Sequence, residues 1–211
     1  PWERAEDIDV GMLPDAFALK ATHGCEMNYI VPDKSKLDVG DMLAHAREWL
    51  AHDYGRACVE PHYRLVPHRV YAEDFIGGMD QIVDYKFHCL NGEPRFVLTC
   101  SERDTGLKLN LYDLDWKPIP GILGPMRNGK EIPRPEHLGE MTEAARALCQ
   151  DFDFVRVDLY ESAGRVMFGE LTFTPAGGVM DYYTNDFNSF WGGVCCTSAL
   201  SRTRRPRSVR R

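Results

Sequence analysis

Apolar and polar positions mark a series of short strand-like stretches along this chain and shift to helical spacing in two places. Phe17-Ala18-Leu19-Lys20 reads as a short buried strand ending in a lysine. A turn-like segment, Thr22-His23-Gly24-Cys25-Glu26, leads into a second strand, Asn28-Tyr29-Ile30-Val31. From Val39 to about His52, Met42, Leu43, Ala46, Trp49 and Leu50 recur every three or four residues, which predicts an amphipathic helix. Asp38 is its expected N-cap, and Asp41 lies in its first turn, where the helix dipole favours an acid.

Strand patterns follow at Arg69–Glu73 and at Ile82–Leu90, the latter facing Phe96–Cys100 across Asn91-Gly92, a strong hairpin signal. Lys117–Pro135 is rich in Pro and Gly and reads as a flap or a connection between lobes. Leu138, Met141, Ala145, Leu148 and Phe152 predict a second helix. The last clear element is a hairpin, Phe154–Tyr160 with Arg165–Phe173. Two helices among about eight strands, mostly joined by hairpins, predict an α+β protein and not a doubly wound sheet.

Composition narrows the function classes. The 211 residues are 44% apolar and 27% charged, ordinary for a globular protein, and no apolar run approaches the roughly 20 residues a membrane span needs. Six of the last ten residues are arginines (202, 204, 205, 207, 210, 211). Taking these six from the 25 basic residues leaves 19 against 32 acidic, so the body argues against nucleic-acid binding. The basic end is expected to be a solvated, disordered tail. Seven scattered cysteines without a C-x-x-C pair fit a reduced, cytoplasmic setting, and the histidines lack zinc-site spacing.

Chemistry concentrates in the last hairpin. Period two puts Arg156 and Asp158 on one face of its first strand and Glu170 and Thr172 on one face of its second. A two-residue loop would turn Asp158 and Glu170 to opposite sides. A three-residue loop, Ser162-Ala163-Gly164, pairs Asp158 with Phe168 and Arg156 with Glu170 and gathers all four residues on one surface. Gly164, placed where that loop wants a left-handed residue, favours the second register. Two carboxylates and a hydroxyl so placed suit magnesium, a hard cation that leaves positions for phosphates. A solvent-facing hairpin with an Arg156–Glu170 ion pair fits the same pattern.

Lys20 with His23-Gly24, Arg69–Glu73, Asp84-Tyr85-Lys86, Arg156-x-Asp158 and Gly169-Glu170-x-Thr172-Phe173 stand in the order seen in ATP-grasp proteins. More narrowly, Leu13-Pro14-Asp15-x-Phe17-x-Leu19-Lys20, Val155–Tyr160 and Phe168–Phe173 resemble the TupA-like branch, which is associated with teichuronopeptide and surface-polysaccharide biosynthesis. The resemblance spans roughly Leu13 to Trp191. It implies two α+β lobes with ATP between them. Only 19 residues precede Lys20, so the N-terminal lobe is expected to be incomplete. The expected organisation is a remnant at 1–12, a small lobe at 13–72, a larger metal-bearing lobe at 73–195 and the basic tail at 196–211.

The resemblance also implies roles. Lys20 would meet the ATP phosphates, and Thr22-His23-Gly24 would begin the loop covering them, with His23 and Gly24 nearest the nucleotide. Family members show His-Gly-Ser-Gly here, whereas this chain has His23-Gly24-Cys25-Glu26, losing a glycine and gaining a charge. Glu73, Asp74, Phe75 and Ile76 would form the hinge around adenine, Asp84 would reach the ribose, and Lys86 the phosphates. Asp158, Glu170 and Thr172 would hold magnesium, while Arg156 and Lys86 would act on the transferred phosphoryl group. Glu60, His62 and Tyr63 are candidates for lining an acceptor site.

The implied activity is an ATP- and magnesium-dependent carboxylate–amine ligase working through an acyl phosphate, on a carboxylated sugar or similar precursor. A non-catalytic nucleotide-binding partner of a glycosyltransferase is the alternative. A glycosyltransferase proper would use Asp113-Leu114-Asp115, an Asp-x-Asp of the type such enzymes place on a nucleotide-sugar metal.

Overall fold

The computed structural model describes residues 1–57, 60–76, 82–102, 106–178 and 180–202. The chain forms two compact units, Pro1–Gly77 and Gly78–Arg211, so the division falls a few residues after the expected 72/73 boundary, beyond the end of the third strand.

The first unit is built on three antiparallel strands, β1 (Phe17–Ala21), β2 (Asn28–Val31) and β3 (Val70–Asp74), in the order β2-β1-β3. Phe17, Leu19 and Ala21 alternate onto one face of β1, and helix α1 (Val39–Ala51) covers it with Met42, Ala46 and Trp49. Asp38 caps α1 as expected, accepting from the Asp41 amide at 3.0 Å. A one-turn helix, α2 (Tyr54–Ala57), follows. The first twelve residues are part of this core. Ala5 and Ile8 are buried in it, and Trp2 exchanges two backbone hydrogen bonds with Val70, at 2.7 and 2.9 Å.

The second unit is a five-stranded antiparallel sheet: β4 (Asp84–Leu90), β5 (Glu93–Ser101), β6 (Lys108–Tyr112), β7 (Phe154–Ser162) and β8 (Arg165–Thr172), in the order β6-β5-β4-β7-β8. Helix α3 (Leu138–Cys149) packs on one face through Leu138, Met141, Ala145 and Cys149. Leu148, expected in that stripe, is exposed, and Cys149 takes the core position one residue on. Helix α4 (Asn185–Arg202) follows the hairpin and was not expected. Its only strong apolar marks in the described part are Phe187, Phe190 and Trp191, and Gly192-Gly193 depresses its helix propensity. Packing decides it: Phe96 lies 5.2 Å from Phe187 and 4.7 Å from Trp191, ring centre to ring centre. The helix carries through the start of the segment read as tail, and residues 203–211 lie outside the described residues.

Residues 117–135 neither join the two units nor hang free. Leu109 donates to the Met126 carbonyl, Asn128 to Leu109 and Ile119 to Leu111, all at 2.8–2.9 Å, so the segment covers the exposed edge of β6. Asp113 turns the chain at the start of this segment, its carboxylate accepting from the amides of Asp115 and Lys117.

Both two-residue hairpin turns put their central residues at positive φ, as a type I′ turn requires. Asn91 and Gly92 sit at 58° and 77°, Ala163 and Gly164 at 51° and 69°. Alanine is a poor occupant of that conformation. Ala163→Asn is therefore expected to raise stability by about 0.5–1 kcal/mol. A urea titration showing no gain would count against this turn assignment.

Candidate functional site

The β7–β8 hairpin differs in register from expectation, yet arrives at the same face. Its loop has two residues, with Ser162 opposite Arg165 and Leu159 opposite Phe168, a pairing that alone would separate Asp158 from Glu170. A bulge then takes up Gly169, and Asp158 stands directly opposite Glu170, Arg156 opposite Thr172. Glycine is required there by close approach. A Cβ on residue 169 would lie 2.6 Å from Tyr160 Cε2 and 3.0 Å from the Asp158 carbonyl oxygen.

Strand β4 completes the cluster. Lys86 pairs in register with Asp158 and His88 with Arg156, while Asp84, two residues earlier, is buried opposite Cys100. Arg156 grips Asp158 with two parallel bonds, Nε to Oδ1 at 2.6 Å and Nη2 to Oδ2 at 2.7 Å. Lys86 Nζ donates to Asp158 Oδ2 as well. The same Arg156 Nη2 reaches Thr172 Oγ1 at 2.9 Å and Glu170 Oε1 at 3.3 Å, and Thr172 donates to Glu170 at 3.3 Å. The second-unit residues expected at the metal and phosphates are thus brought together.

The electrostatics follow from this packing. Burial alone would push the Asp158 carboxyl up, but Lys86 and Arg156 together hold it below its usual value. Burial works against the Arg156 charge, and Asp158 and Glu170 overcome it. Glu170 is raised, first by burial and then by the Asp158 charge facing it. Two carboxylates directly opposed across a strand pair repel unless cations offset them.

This donor set fits magnesium, which binds through one or two carboxylates and completes its shell with water and substrate phosphate. Among the described residues there is no group of three or more His, Cys, Asp or Glu that could hold a metal ion, so the donors available here are two carboxylates and a hydroxyl. Asp113 and Asp115 give no second candidate: the first caps a turn, and the second is paired with Lys117 at 3.5 Å on the surface.

Three side chains on this face went unread in the sequence. His88 is buried beside Arg156, with Nδ1 3.2 Å from the Lys86 carbonyl, Nε2 3.3 Å from the Tyr183 hydroxyl and its ring stacked on Phe96. Burial, with Arg156 adding, pushes its pKa down to about 3, so it is neutral. Tyr182 and Tyr183 lie in the segment before α4, and burial raises both phenols, Tyr182 to about 12. Period two from Lys86 was the available signal for His88; nothing local marks the tyrosines.

In the first unit, Lys20 Nζ is ion-paired with Glu73. Ala18 is the in-register partner of Glu73 and Tyr71 that of Lys20, so the pair is a diagonal one on the sheet face away from α1. Residues expected at opposite ends of the nucleotide therefore neutralise each other here. Asp74 ends β3, Phe75 continues it by donating to the Ala16 carbonyl at 3.3 Å, and Ile76 is half-buried.

His23 is a packing residue in this structure. Its ring is buried, stacks on His68 at 3.8 Å and has Nε2 2.8 Å from the Trp49 carbonyl, and burial lowers its pKa. Gly24 sits where a Cβ would meet Tyr54 and Met27 at 2.9 Å. Glu60 is buried, accepts from the Tyr54 hydroxyl at 3.3 Å and has Cys25 Sγ 4.0 Å away, while the Tyr63 hydroxyl lies 3.5 Å from the same sulfur. His62 stacks at a tilt beside Tyr63. Glu26 holds φ at 62°, the left-handed conformation at which glycine is at ease.

A family model described as TupA-like ATPgrasp matches residues 1–195. The chain belongs to the ATP-grasp proteins, and within them to the TupA-like family. A solved neighbour is the N5-carboxyaminoimidazole synthase of Aspergillus clavatus in complex with ADP and 5-aminoimidazole ribonucleotide. It is 16% identical, with a TM-score of 0.38 over 74% of this chain. This chain spans 32% of that protein's length. No curated protein matches the chain. No helix among the described residues is long and apolar enough to cross a membrane.

Proposed function

We propose that this chain carries the nucleotide- and metal-binding part of an ATP-dependent carboxylate–amine ligase acting on a carboxylated sugar or related precursor in surface-polysaccharide assembly. The observation that supports it is the single-face cluster of Asp158, Glu170, Thr172, Arg156 and Lys86 in a chain of this family. Magnesium, held by Asp158, Glu170 and Thr172, would supply charge neutralisation to the nucleotide phosphates.

A substrate carboxylate oxygen would attack the terminal phosphorus and ADP would leave. An amine nitrogen would then attack the acyl carbon, expelling phosphate and losing a proton as the amide forms. Lys86 and Arg156 are the groups that would follow the charge on the moving phosphoryl oxygens. Asp84 and the Glu73–Ile76 stretch remain the candidates for ribose and adenine, and Lys20 with Gly24 for the phosphates.

The test is calorimetric titration with Mg-ATP against wild type and Glu170→Gln. The glutamine keeps an oxygen for Arg156 and Thr172 and removes a carboxylate that the folded state holds protonated more readily than water does. Its melting temperature without metal is expected to equal or exceed that of wild type, while Mg-ATP affinity falls at least about tenfold. Unchanged affinity would remove Glu170 from the site.

A non-catalytic nucleotide-binding partner of a glycosyltransferase is the second reading, favoured by Glu26, an acid at a glycine-like backbone position in the expected phosphate loop. Glu26→Gly is expected to relieve about 1–2 kcal/mol of backbone strain, less the glycine's greater unfolded-state entropy, and to tighten ATP binding. ADP release from the Glu26→Gly protein with carboxylate and amine substrates, but not from wild type, would decide for this second reading.

A further inference from the structure

Arg156 sits among the three oxygen donors proposed above for a metal ion. Its guanidinium contacts all three oxygen donors, Asp158 through Nε and Nη2 and both Glu170 and Thr172 through Nη2. Lys86 adds a second cation on Asp158, whose side chain is only 1% exposed. Both Asp158 oxygens are therefore engaged, and the cluster is electrically balanced, with two basic side chains against two carboxylates. A metal ion arriving alone would meet carboxylates already neutralised and two positive charges within contact range. An anionic polyphosphate offers those same two cations new partners of the kind a guanidinium and an ammonium bind well.

We infer that Arg156 and Lys86 act as internal counter-ions that plug the metal position, so that the site loads metal and polyphosphate together and discriminates against free divalent metal. The inference rests on the nucleotide-and-metal reading proposed above. In the exchange, Arg156 and Lys86 pass from Asp158 and Glu170 to the phosphate oxygens, and the freed carboxylates take the metal. Coupling of this kind is reciprocal: the metal must tighten the nucleotide by the same factor as the nucleotide tightens the metal.

The experiment uses Mn2+ as the probe, with free Mn2+ read by electron paramagnetic resonance, alone and with saturating non-hydrolysable ATP analogue. Calorimetry of the analogue with Mn2+ or with EDTA gives the reciprocal arm. Wild type is expected to bind Mn2+ alone at least about a hundredfold more weakly than with the analogue. Arg156→Gln is expected to bind Mn2+ alone about tenfold more tightly than wild type, a change of about 1.4 kcal/mol, while its coupling to the analogue shrinks. Lys86→Gln carries the same expectation in case the arginine variant does not fold, and the wild-type comparison is decisive without either.

Equal Mn2+ affinity with and without the analogue, or weaker Mn2+ binding in a folded Arg156→Gln protein, overturns the inference while leaving the nucleotide reading intact. A wild type that binds neither Mn2+ nor analogue, separately or together, overturns both.

Discussion

Asp158→Ala is expected to cost about 3–5 kcal/mol of folding stability, the largest effect of any single change at this site, because it strands two cations that burial has already separated from water. Arg156 loses a bidentate partner and Lys86 its hydrogen-bonded carboxylate, and the methyl group offers neither anything in return. Asp158→Asn keeps an oxygen for the guanidinium and should lose less. Urea unfolding of the two variants reads the difference. A cost under about 1 kcal/mol for the alanine would mean that the cluster is solvated and loose.

The same cluster sets a pH dependence. A carboxyl held below its ordinary value contributes stability that is complete above its unfolded pKa, about 4, and is lost as pH falls through its folded value. Glu170, raised in the folded state, works in the opposite direction over its own range and offsets part of the loss. Wild-type stability should therefore drop below about pH 4 more steeply than that of Asp158→Asn.

Gly169→Val is expected to lower stability by about 1–3 kcal/mol and to weaken metal-dependent nucleotide binding more than tenfold. A side chain at this position cannot enter without moving the Tyr160 ring or the Asp158 carbonyl. The ring can move at modest cost; the carbonyl belongs to the residue that holds the cluster. The strand pair can also escape by releasing the bulge, which shifts Glu170 by one position and turns it to the opposite face. Gly169→Ala combined with Tyr160→Leu removes the closer of the two clashes and should recover part of the binding. Full nucleotide binding in Gly169→Val would show that the bulge does not set the Asp158–Glu170 pairing.

How far the sequence could be read is clearest in that same hairpin. Alternation assigned Arg156 and Asp158 to one face of β7 and Glu170 and Thr172 to one face of β8, as observed, but the device expected to bring the faces together, a three-residue loop marked by a glycine, is not the one present. The glycine chosen was Gly164, in the loop. The one that matters is Gly169, because a bulge one residue long has the same effect on parity as one extra loop residue and leaves the same periodic trace. Local chemistry cannot separate the two; the close approach of Tyr160 and the Asp158 carbonyl can.

Elsewhere the split follows the range of the forces. Asp38 and the type I′ Asn91-Gly92 turn depend on neighbours a few residues away and were legible. Helix α4 depends on Phe96, roughly ninety positions earlier, and was not. His23 was read as part of a phosphate loop from its neighbours in sequence, whereas its burial is decided by Trp49 and His68.

The left-handed backbone at Glu26 also bears on which substitutions residue 26 can accept. Every glutamate codon becomes a glycine codon by changing its second base alone. The loop holds a conformation that glycine accepts without strain, so no further substitution is required for glycine to be tolerated at residue 26. The gene is thus one point mutation from an uncharged loop, and if this loop covers the phosphates as proposed, selection for tighter nucleotide binding should find residue 26 first.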